Sequence, residues 1–175
     1  MKTIKNYTET KIDEELKKYK DQGFDLYQIK AICRALENGI DILKYISTES
    51  NSGVIEVVYW GLRDKLDISK YNDPKFDCWQ MRQIYYGLKD GVDITKFADP
   101  KFDHYQMHEI ERGLKYGVDV SKYADPKFDA RQMIEIREAL EHGIDVTPYI
   151  TSKSTVDEIE SKAYALTQGF ILEKI

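Results

Sequence analysis

The residues of this chain whose types could do chemistry fall into three groups, and their spacing separates them. His104 and His108 stand at i, i+4, the spacing with which one helix face offers two imidazoles to zinc when a third ligand arrives from elsewhere. No HExxH pattern surrounds them and His142 stands well apart, so they read as surface histidines and no metal or other cofactor is expected. Carboxylates form two regular series, Asp25, Asp77, Asp103, Asp129 and Asp41, Asp67, Asp93, Asp119, Asp145. Their places at expected helix starts mark them as caps worth ~1 kcal/mol each rather than as general acids or bases. A Gly-rich phosphate loop, a Ser-His-Asp set and a Cys-His pairing are all missing from the pattern, so no catalytic residue is assigned and a non-enzymatic role is expected. The third group is aromatic and cationic. Tyr27, Arg34, Trp60, Trp79, Arg82, Tyr86, Tyr105, His108 and Arg112 occupy outward positions of successive expected helices, with Tyr59 and Tyr85 beside them. Trp, Tyr and Arg dominate interface hot spots, so this set is the candidate partner-binding surface. The alternative for single members is packing between neighbouring helices as peripheral core.

The elements that must position these residues follow from an internal repeat. YNDPKFDCWQM, FADPKFDHYQM and YADPKFDARQM recur at a period of 26 residues. Leucine holds the same register at Leu36, Leu62, Leu88, Leu114, Leu140 and Leu166, each preceded by a small residue, Ala35, Gly61, Gly87, Gly113, Ala139 or Ala165. Within one unit Asp77 and Gln80 have capping-box spacing and Phe76 and Met81 have hydrophobic-staple spacing, which starts a helix at about Cys78. Met81, Ile84 and Leu88 give it one apolar stripe, and Gly91 ends it. Asp93 then caps a short turn from Ile94 to Ala98, which Asp99-Pro100 stops because the residue before proline is pushed out of the α region. A unit this small cannot enclose its own apolar residues, so neighbours must bury them against one another. The expected fold is all-α, an α-solenoid of tandem 26-residue repeats, each a long helix plus a short helical turn, with terminal capping helices. Residues 1–23 form the N-terminal capping helix, 24–153 five repeats, and 154–175 a C-terminal capping helix that is a degenerate sixth repeat, all in one domain. The helix glycines are expected to permit close approach between helices of adjacent repeats.

The second copy departs from this pattern. Ser47 to Gly53 replaces the Asp-Pro-Lys-Phe-Asp stretch, and the segment Val54 to Trp60 is apolar around most of its helix. Either the N-terminal cap covers that helix or a partner or a second copy of the chain does, so self-association through Val54–Trp60 is possible. The string YADPKFD followed by the Gln-Met, Gly-Leu and Gly-Val-Asp-Val positions resembles tandem repeats of Gram-positive gut bacteria and their mobile elements, from Phe24 to Ile150. That resemblance implies the architecture and a mobile-element setting; it carries no catalytic residue across.

Composition bounds the partners. The 175 residues include 26 Lys+Arg against 31 Asp+Glu, a net charge of −5, which argues against duplex nucleic acid bound through phosphate neutralisation. No apolar run is long enough for a membrane span, and the N-terminus lacks a secretory pattern. Cys33 and Cys78 lack CxxC spacing and read as reduced thiols, so a cytoplasmic protein is expected. The leading expectation is an adaptor or inhibitor that binds another protein, possible versions including a mobile-element inhibitor of host defence. The alternative is a small-ligand or nucleotide-binding module in which aromatic rings stack and arginines clamp.

Overall fold

The computed structural model describes residues 17–169. Residues 1–16 of the expected N-terminal cap and 170–175 of the C-terminal one lie outside the described residues. Among the described residues the secondary structure is entirely helical, and no helix is long and apolar enough to cross a membrane. Residues 17–21 are helical. They precede helices α1 (Leu26–Glu37), α2 (Ser52–Arg63), α3 (Cys78–Asp90), α4 (His104–Lys115), α5 (Ala130–Glu141) and α6 (Val156–Thr167), whose first residues succeed one another every 26 positions. Between them lie single 3₁₀ turns, Leu43–Tyr45, Ile68–Lys70, Ile94–Lys96, Val120–Lys122 and Thr147–Tyr149.

The caps explain why each helix starts where it does. Asp103 Oδ1 accepts from the Tyr105 and Gln106 N–H groups at 2.8 and 2.9 Å, while Gln106 Oε1 accepts from the Asp103 N–H at 2.9 Å. Asp25, Asp77 and Asp129 make the same reciprocal arrangement with Gln28, Gln80 and Gln132. Asp67, Asp93 and Asp119 cap the 3₁₀ turns through the N–H of Ser69, Thr95 and Ser121. Helix ends close on left-handed residues, Gly39, Gly91, Gly117 and Gly143 with φ between 72° and 77°, and at the corresponding place after α2 on Lys65 with φ 58°.

The chain divides into two compact units, 1–85 and 86–175. In the first, α1 packs on α2; in the second, α4 packs on α5 and α5 on α6. Helices α1 to α5 each send an apolar pair inward at i, i+3: Ile29 and Ile32, Ile55 and Val58, Met81 and Ile84, Met107 and Ile110, Met133 and Ile136, all 3% exposed or less. Each such side chain contributes about 1.5–3 kcal/mol. Within the first unit α2 is covered by its neighbours, with Ile55, Val57 and Val58 fully buried and only Val54, Glu56 and Trp60 half-buried along its apolar stretch.

The small residue before each leucine serves a contact other than the expected one between helices. A Cβ on Gly61 would lie 1.8 Å from Tyr71 Oη, and one on Gly113 would lie 1.9 Å from Tyr123 Oη. The intruding ring therefore belongs to the 3₁₀ turn that follows the glycine's own helix. Tyr71 Oη donates to the Val57 carbonyl at 3.2 Å and Tyr123 Oη to the Glu109 carbonyl at 3.0 Å, so each ring is folded flat onto the helix and held there. Phe97 occupies the same place over Gly87, its Cζ 2.5 Å from a built Cβ. Where alanine replaces glycine, at Ala35 and Ala139, the 3₁₀ turn begins one residue later in register and the ring, Tyr45 or Tyr149, is only half-buried. Ile42 and Val146, in register with Ile68 and Val120 of the glycine copies, are fully buried there.

Candidate functional site

In the first unit the aromatic and cationic residues form a connected ladder. Tyr59 lies between two guanidinium groups, with the Cζ of Arg34 and of Arg63 each 5.8 Å from its ring centroid. Arg63 grips Asp64 through Nε at 2.7 Å and an Nη at 3.2 Å, and Tyr85 donates its hydroxyl to the same carboxylate at 2.7 Å. The Tyr85 ring meets Trp60 at 5.7 Å, inclined by 47°. Arg82 closes the ladder. Its guanidinium carbon is 5.0 Å from the Trp60 ring and 4.7 Å from that of Trp79, so the cation is held between two indoles. Its Nε is buried and, among the described residues, has no hydrogen-bond partner.

This arrangement has a definite chemical capacity. Two indole faces fix the guanidinium plane, each contributing about 0.5–2 kcal/mol, and leave its edge to present parallel N–H donors to a carboxylate or phosphate. The Nε itself is buried, so the guanidinium's remaining N–H groups are the donors such a ligand would meet.

The residues expected at the surface separate into two sets. Tyr27, Trp79, Tyr86 and Tyr105 are exposed, Arg34 and His108 are exposed, and Trp60, Arg82 and Arg112 are half-buried. Tyr59 and Tyr85 are corrected to buried positions, 6% and 2% exposed. Each directly follows a core residue, Val58 or Ile84, and the buried stripe of these helices is wide enough to include it. The same register holds Glu111 and Arg137, also buried.

The second unit places its members differently. Tyr105 stacks on His104 at 4.0 Å, and Arg112 lies 6.0 Å from the Tyr116 ring and 3.8 Å from Glu109. Burial pushes the His108 imidazole below its ordinary value. Arg137 is 1% exposed and donates to Glu109 at 2.8 Å, to Glu138 at 3.0 Å and to Glu141. Glu111 is buried, and its carboxyl is pushed up by burial and by neighbouring Asp90, which Lys115 grips at 2.5 Å. Among the described residues no group of three His, Cys, Asp or Glu gathers as a metal site would require, and neither cysteine forms a disulfide.

One recurrent contact was not anticipated from the sequence. Besides closing its capping box, Gln106 donates from Nε2 to the carbonyls of Pro126 at 3.2 Å and Phe128 at 2.6 Å. Gln132 does the same to Ser152 and Ser154, and Gln28 to Thr48 and Ser50. Each carboxamide thus ties the start of one helix to the loop that leads into the next. The available signal was glutamine where a capping box accepts glutamate equally well. Leu26, Tyr116 and Tyr164, also exposed, likewise lay outside the expected set. Comparison of the chain with protein-family models, characterised proteins and solved structures finds no match.

Proposed function

We propose that the chain is a non-enzymatic repeat scaffold, an α-solenoid closed by terminal capping helices, that binds another protein through its aromatic and arginine side chains. The observation that carries this reading is Arg82 held against both Trp60 and Trp79, which pre-positions its guanidinium. A pre-positioned guanidinium loses little entropy on pairing, and flanking indoles exclude water from the pair. The solenoid reading is supported by the recurrence of cap, glutamine clamp and turn every 26 residues. A partner offering a carboxylate suits the site. A cytoplasmic setting belongs to the same proposal, and the resemblance of the YADPKFD repeats to those of mobile elements motivates a role as inhibitor of a host defence protein.

Placing a photo-reactive aromatic residue at position 79 tests this reading. It should cross-link to one protein in native lysate, and Arg82→Ala should remove that cross-link while circular dichroism is unchanged. Cross-linking that survives Arg82→Ala contradicts the reading. The half-exposed Trp79 beside a cation also favours a second reading, base stacking of a nucleotide. A thermal shift with ATP or GTP, lost in Arg82→Ala, would select that reading instead.

A further inference from the structure

The glutamine of the clamp has no counterpart in α2. In α1, α4 and α5 the carboxamide of Gln28, Gln106 or Gln132 donates to carbonyls 20 and 22 residues further along. At those offsets from position 54 in α2 stand Pro74 and Phe76, but position 54 is Val, which has no donor. The same copy lacks a second group. Phe76, Phe102 and Phe128 put a phenyl ring just before their helices, where α2 is preceded by Ser50. The Ser50 hydroxyl is engaged locally, accepting from the Ser47 N–H at 3.0 Å.

A cleft of about 590 Å³ lies in the first unit at this place, and Ser50, Val54, Pro74 and Phe76 all line it. Tyr45 and Met81 add to its apolar wall, and Asn72, donating to the Tyr45 carbonyl at 3.0 Å, joins two of the lining segments. The cleft is large enough for a side chain with its backbone. Its two charged residues, Lys44 and Glu49, are of opposite sign, so the ligand it suits is neutral overall at this point.

We propose that this cleft binds a partner peptide carrying glutamine, whose carboxamide N–H groups donate to the Pro74 and Phe76 carbonyls while an adjoining aromatic side chain covers Val54 and Met81. The occupant supplies what the chain itself supplies elsewhere. Val54 offers the Pro74 and Phe76 carbonyls no side-chain donor, and three other copies show that a carboxamide spans the corresponding pair. The site is separate from Arg82 and does not depend on it.

The test uses the full chain, labelled with ¹⁵N, and an acetylated peptide Phe-Asp-Ala-Arg-Gln, the sequence of residues 128–132, ended as an N-methylamide so that its only primary amide is the glutamine. Backbone amide shifts should concentrate at Ile46, Ser47, Asn72 and Phe76. The same peptide with Gln→Glu should bind at least about tenfold more weakly, because a carboxylate faces carbonyl oxygens. The double variant S50F/V54Q, which restores ring and carboxamide to the chain, should melt higher and lose the shifts, and R82A should keep them. Equal affinity for both peptides, or no shifts up to about 10 mM, overturns the proposal. The two-peptide comparison on the unaltered chain decides the matter even if the double variant does not fold.

Discussion

Gln106→Glu is the sharpest probe of how adjacent helical units are joined. The substitution preserves size and keeps an oxygen to accept from the Asp103 N–H, so the capping box survives. It removes the N–H groups that donate to Pro126 and Phe128 at 3.2 and 2.6 Å. Two hydrogen bonds at about 1 kcal/mol net each give about 2 kcal/mol. A carboxylate oxygen placed against two carbonyl oxygens at a position 5% exposed adds about 1–3 kcal/mol more. The expected loss at pH 7 is therefore about 3–5 kcal/mol, and it has a pH signature. Repulsion from the carbonyls raises the introduced carboxyl above its unfolded value, so stability is greatest below the unfolded value and declines as pH rises through the folded one. Urea unfolding at several pH values reads both quantities. A variant within about 0.5 kcal/mol of the parent, flat from pH 4 to 7, would refute the clamp.

Other outcomes follow from the same geometry. Gly113→Ala drives a methyl into Tyr123 Oη, so it should cost about 2–4 kcal/mol through overpacking and the lost bond to Glu109, and an unchanged thermal midpoint would contradict that packing. Lys65→Gly should stabilise the chain by about 1 kcal/mol in chemical denaturation, because Lys65 holds a left-handed φ of 58° where the other helices end on glycine; a loss of stability would be the contrary result. Burial holds the Glu111 carboxyl above its ordinary value, so its favourable contribution is full at low pH and fades as pH rises through the folded value. Glu111→Gln should accordingly flatten the decline of stability above about pH 4.3, and an identical pH profile would show that this carboxyl does not govern it.

Local signals proved the most legible. Asp25, Asp77, Asp103 and Asp129 begin helices because a short side-chain acceptor before an apolar stripe has few other uses, and Gly91 ends one because its φ of 72° penalises a Cβ. What a residue touches at a distance was harder. Gly61 was legible as a close approach but not as one made by Tyr71, since either a neighbouring helix or a following turn would demand the same small residue. Tyr59 and Tyr85 show the limit for the site. An aromatic at the margin of a helical stripe satisfies core and surface patterns alike, and only the presence of Trp60, Asp64 and the flanking arginines settles which applies. The Arg82 stack needed Trp60 and Trp79, one repeat apart in register less seven positions, to meet across two helices. Spacing named the residues without revealing that they share one cation.

The most direct test of the binding account is the affinity of the protein captured at position 79, measured by calorimetry for the unaltered chain, Arg82→Lys, Arg82→Ala and the distant control Tyr164→Ala. Arg82→Lys keeps the charge but loses the planar fork, and should weaken binding by about ten- to a hundredfold; Arg82→Ala should weaken it further, and Tyr164→Ala should leave it unchanged. Equal affinity across all four would contradict the assignment of function to the Trp60–Arg82–Trp79 stack.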